Sequence, residues 1–83
     1  MGMPAVMLLI GNLNDKYRID LNESAILNDY PIGQLCDDIM DLSKEAEREE
    51  VWDTLCDWFA MMNEIEKESI TPDMIFDWDG KFR

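Results

Sequence analysis

Residues 5–21, AVMLLIGNLNDKYRIDL, decide the fold. Ala5 to Ile10 is an unbroken apolar run between Pro4 and Gly11. Lys16 to Leu21 alternates instead, with Tyr17, Ile19 and Leu21 on one side and Lys16, Arg18 and Asp20 on the other. A short apolar run and a period of two are both marks of strands. Gly11-Asn12-Leu13-Asn14-Asp15 between them is rich in residues that tolerate turn geometry, so the stretch predicts an antiparallel β-hairpin with a loop of about four or five residues. A lone hairpin is marginal in water and needs helices to cover it.

From Pro31 the period changes to 3.6. Ile32, Leu35, Cys36, Ile39, Met40 and Leu42 share one side of a helical wheel, and Asp37, Asp38, Asp41 and Glu45 share the other. Pro31 suits the first position of that helix. A second pattern groups Val51, Trp52, Leu55, Trp58, Phe59, Met62 and Ile65 against Glu49, Glu50, Asp53, Asp57 and Glu64. The apolar centres of the two segments differ by roughly 150° on one wheel, so a single straight helix would face two ways. A break near residues 42–47 resolves this, folding the segments into an antiparallel pair with Ser43 as a candidate cap. Residues 22–30 predict a connector with a short turn around Ala25-Ile26-Leu27. Thr71-Pro72-Asp73 is a helix-start signature before Met74, Ile75 and Trp78, and predicts a short third helix ending at Asp79-Gly80. The expected fold is therefore α+β: one domain over residues 1–83, with an N-terminal antiparallel β-hairpin covered by two amphipathic helices and a short C-terminal helix.

A chain of 83 residues buries only about 60% of its unfolded surface, which favours a functional face over a deep catalytic cleft. The 47% hydrophobic fraction supplies a core. Cys36 and Cys56 are too few for a disulfide scaffold and sit beside apolar neighbours, which points to reduced core thiols in a cytosolic chain. Without His, the Ser-His and Cys-His nucleophiles and the His-bearing zinc sites are excluded. Two thiols cannot make a four-thiolate site, and neither a phosphate-cradling glycine loop nor calcium-loop spacing is present. A carboxylate pair such as Asp37 and Asp41 lacks the enclosed site that acid-base catalysis needs. The expectation is a non-enzymatic protein with no cofactor and no metal. Residues 6–10 are too short an apolar run to cross a membrane.

Charge is the outlier: 19 acids against seven bases give a net charge of −12. Residues 19–43 hold six acids and no base, and residues 49–66 hold six more and no base. An acidic stripe opposite an apolar one is ordinary for an amphipathic helix. The missing bases are not, because Glu49 to Asp53 and Asp53 to Asp57 are like-charge pairs four residues apart, each unfavourable by about 0.2–0.5 kcal/mol. Such carboxylates lie about 5–6 Å apart, similar to the spacing of phosphates along a nucleic-acid strand. A charge of −12 matches roughly 20 Å of duplex, and a helix of about 22 residues spans about 33 Å.

Trp52-Asp53-x-Leu55-x-x-Trp58 resembles, over about ten residues, the acidic helix of the barstar family of ribonuclease inhibitors. The expected hairpin departs from that family's strand-helix order, so no residue role is carried over.

Two functions are expected from these features. The first is a cytoplasmic inhibitor, in a bacterial host and of phage or mobile-element type, that mimics DNA or RNA. It would bind a basic nuclease, CRISPR effector or other nucleic-acid-binding protein, as anti-CRISPR, anti-restriction, immunity and antitoxin proteins do. Its face would comprise Asp37, Asp38, Asp41, Glu45, Glu49, Glu50, Asp53, Asp57 and Glu64, with no direct binding to nucleic acid or membrane. The second is an adaptor or homo-oligomeric assembly protein, pairing as a homodimer or with a partner through Trp52, Trp58, Phe59 and Met62.

Overall fold

The computed structural model of the protein describes residues 4–22 and 30–83. It is helical: α1 spans Ala5–Tyr17, α2 Ile32–Leu42 and α3 Arg48–Asn63, followed by a 3₁₀ turn at Lys67–Ser69. Among the described residues there is no β-strand, only isolated antiparallel bridges from Pro31 to Ile75 and from Phe76 to Phe82. The expected α+β hairpin fold is thereby overturned.

The reason lies within the opening stretch. Val6, Leu9, Ile10 and Leu13 stand at i, i+3, i+4 and i+7, and all four are buried in the core. Gly11 is carried in the helix on its exposed side, where an added Cβ would meet nothing within 4 Å. The supposed turn residues thus lie inside α1. Arg18 ends the helix in the left-handed region at φ 54°. The alternation that follows is real, with Leu21 buried and Asp20 exposed, but this segment pairs with no strand among the described residues. Asn14 holds it instead: its Oδ1 accepts from the Leu21 amide at 2.7 Å, and its Nδ2 donates to the Leu21 carbonyl at 3.2 Å.

α2 and α3 follow the 3.6 period, with the expected break between them at residues 43–47. Ile32, Leu35, Cys36 and Ile39 of α2 are buried, as are Val51, Leu55, Cys56 and Phe59 of α3. Leu42, expected on the apolar side, is exposed. Pro31 stands one residue before α2 rather than at its first position. Ser43 closes α2 and does not cap α3, whose N-terminal flank is Glu47 without a side-chain cap. The turn expected around Ala25 lies outside the described residues.

The C-terminal segment also departs from expectation. Thr71-Pro72-Asp73 makes one turn, with Met74 N–H donating to the Thr71 carbonyl at 3.1 Å, and the chain then runs extended through Ile75 and Phe76. A helix here would lose two sets of contacts. The Ile32 and Gly33 amides, unsatisfied donors at the start of α2, donate to the Met74 and Pro72 carbonyls at 2.9 Å each. Phe76 and Phe82 also bring their rings to 4.9 and 5.2 Å from Phe59. Asn63 fastens the return, donating to the Gly80 carbonyl at 2.8 Å and accepting from the Phe82 amide at 2.9 Å. Gly80, at φ +81°, lets the turn lie on Trp58, where a Cβ would come within 2.6 Å of the ring. No helix of the described residues is long and apolar enough to cross a membrane.

Candidate functional site

The acids singled out in the sequence are distributed around the helices in distinct neighbourhoods. Asp53 and Asp57, the like-charge pair of α3, are bridged by a base from outside the helix. Lys67 Nζ lies 2.7 Å from Asp53 Oδ1 and 3.1 Å from Asp57 Oδ1. Those hydrogen bonds hold the ammonium well above the usual lysine range. Glu50 faces the end of α1, 3.8 Å from Lys16 Nζ, and shares a shallow hollow with Glu45 and Arg18. Glu64 lies just past the end of α3, at φ 54°.

The remaining acids lie on α2 and at the start of α3. Arg48, at the first position of α3, donates to Asp37 Oδ1 at 2.7 Å and also feels the charge of Asp41. Asp38 accepts from Gln34 Nε2 at 3.0 Å, and its carboxyl is raised by partial burial and then by the neighbouring Asp41. Glu49 shares a cleft with Asp37. Asp37 is thus paired with Arg48, Asp41 acts on the same guanidinium at longer range, and Asp38 and Glu49 add carboxylates on the same two helices.

Beside this group lies an open cleft of about 740 Å³. Its apolar walls are Pro31, Cys36, Trp52, Pro72 and Ile75, and charged residues Asp37, Glu49, Asp73 and Arg48 line it too. Gly33 sets its width. A Cβ there would lie 2.8 Å from Pro72 Cβ and 2.9 Å from the Pro72 carbonyl oxygen, so only glycine lets the 72–75 segment close on α2. Asp73 accepts from the Thr71 hydroxyl at 2.5 Å, which lowers its pKa.

The four apolar candidates do not form one exposed face. Phe59 is wholly buried, Trp58 is half-buried against Phe59 and Gly80, and Met62 is partly covered. Only Trp52 opens onto the cleft. Among the described residues, the large apolar side chains that are exposed are Leu8, Leu42, Met61 and Ile65. Sequence reasoning missed Asp73, the cleft and the bases that answer the acids. Lys67, standing directly after the base-free block, was the one local hint.

Cys36 and Cys56 are both free and buried. Burial pushes the Cys56 thiol up to about 11, and nearby Asp53 adds to the rise. Burial likewise raises Cys36, which serves the cleft as an apolar wall rather than a nucleophile. With a thiol reagent at pH 8, the native protein is expected to react at least about tenfold more slowly than the urea-unfolded chain. Equal rates would show that the thiols are not enclosed. The unfolded chain releases the Cys56 proton first, near its ordinary value of 9.0, so this contribution to stability is complete below pH 9 and falls as pH rises toward 11.

Compared with protein-family models, curated proteins and solved structures, the chain matches none.

Proposed function

We propose that the protein is an acidic, non-enzymatic inhibitor that acts in the bacterial cytoplasm. It occupies the nucleic-acid groove of a basic nuclease, CRISPR effector or comparable nucleic-acid-handling protein, as anti-CRISPR and anti-restriction proteins do. One observation carries this reading: Asp37, Asp38 and Asp41 of α2 and Glu49 of α3 stand on two packed helices, where Arg48 pairs with Asp37 alone among them. α2 packs on α3, so the helices that carry these acids are in place before contact. With a net charge of −12, the field steers a basic partner inward and repels nucleic acid and anionic membranes. Asp53 and Asp57 contribute less, because Lys67 answers both.

Affinity capture from a bacterial lysate tests the reading, with duplex DNA as competitor and mass spectrometry to identify what is retained. The expected prey is a basic nucleic-acid-binding protein, displaced by the DNA and released as salt rises, since screening acts over about 10 Å at 0.1 M. The exposed double variant Asp41→Lys/Glu49→Lys should weaken capture at least about tenfold, which corresponds to about 1.4 kcal/mol. Unchanged capture by that variant, or recovery of only an acidic protein or the chain itself, would sink the reading.

A further inference from the structure

We infer that the Trp52 cleft is where the basic partner is anchored, by a short segment carrying large apolar side chains flanked by arginine or lysine. The inference rests on the acidic-inhibitor reading and specifies the partner chemistry that reading leaves open. An acidic face alone would hold any polycation; this cleft adds apolar depth beside it. Its walls come from both helices and from the 72–75 segment, so it is formed before any partner arrives. At about 740 Å³ it has room for more than one aliphatic side chain.

Charge complementarity selects the occupant. Three carboxylates, Asp37, Glu49 and Asp73, line the cleft with a single cation, Arg48, which is already paired to Asp37 at 2.7 Å. Asp73 is exposed, and the hydrogen bond it accepts from Thr71 lowers its carboxyl below the usual aspartate value. A basic segment can therefore set its cations on Glu49 and Asp73 while its apolar residues lie against Trp52 and Ile75. A second copy of this chain is a poor occupant, because each copy brings a charge of −12. Cys36 adds an apolar wall without a reactive thiolate.

The probe is the capped hexapeptide Arg-Arg-Leu-Leu-Arg-Arg, titrated into ¹⁵N-labelled protein alongside Arg-Arg-Ser-Ser-Arg-Arg and Glu-Glu-Leu-Leu-Glu-Glu. The first is expected to move the Trp52 indole and the Gly33 and Ile75 amides, and to bind at least about fivefold more tightly than either control. The exposed pair Glu49→Gln/Asp73→Asn should erase most of that preference. If the serine peptide binds equally well, the anchoring proposal is overturned while the acidic-face reading stands. Equal binding of the glutamate peptide overturns it through its charge argument. Absence of shifts at Trp52, Gly33 and Ile75 also overturns it, whatever the lysate capture recovers; the broader reading fails only by that separate experiment.

Discussion

Replacing Phe59 by Ala is expected to destabilise the protein by about 3–5 kcal/mol. Phe59 is wholly buried, and its ring stands 4.8 Å from Trp58, 4.9 Å from Phe76 and 5.2 Å from Phe82. Through these rings α3 holds the C-terminal segment, so the variant loses transfer energy, leaves a cavity and loosens the attachment of residues 76–82. A domain of this size has a total stability of roughly 4–12 kcal/mol, so the loss is a large fraction of it. Urea denaturation should show a markedly lower midpoint, and the melting temperature should fall by at least about 12 °C. Phe59→Leu keeps most of the apolar volume and should cost distinctly less. A loss below about 1 kcal/mol for Phe59→Ala would mean that the ring cluster does not hold the core together.

Gly33→Ala carries the second large effect, and its sign is the informative part. At most helical positions alanine is better than glycine by about 1 kcal/mol, so helix propensity alone predicts a gain. Here the added methyl meets Pro72 Cβ at 2.8 Å and the Pro72 carbonyl oxygen at 2.9 Å, contacts involving backbone that cannot swing aside. Relief requires moving residues 72–75 off α2, which strains the hydrogen bonds from the Ile32 and Gly33 amides. The net expectation is a destabilisation of about 1–3 kcal/mol by urea titration, with enhanced amide exchange at Ile32 and Gly33. A stabilised variant would show that the segment does not pack here. Because Pro72, Asp73 and Ile75 line the cleft, the same change should also weaken binding of the arginine-leucine peptide.

α2 and α3 were legible because their burial pattern repeats every few residues. Ile32, Leu35 and Ile39, like Val51, Leu55 and Phe59, mark one face of a helix wherever the rest of the chain lies. α1 is not legible in the same way, although Val6, Leu9, Ile10 and Leu13 carry the same pattern. Its unbroken apolar run suits a strand as well as a helix, and Gly11, Asn12 and Asn14 look like turn residues until burial on one helical side outweighs their propensity. The segment from Thr71 onward carried a sound helix-start signature. It was overridden because its carbonyls are needed by amides forty residues earlier and its aromatic rings by Phe59.

By itself the sequence determined the excess of acid, the absence of histidine chemistry, the two long amphipathic helices and the break between them. Each of these is a matter of composition or of spacing within a few turns. Only the tertiary structure decided which acids remain dominant. Lys67 reaches Asp53 across fourteen positions, and Lys16 approaches Glu50 across thirty-four. The cleft likewise depends on Gly33 meeting Pro72, a contact no local pattern encodes. Helical periodicity is written in neighbouring residues, whereas charge pairing and cavity shape are set by chain segments that packing alone brings together.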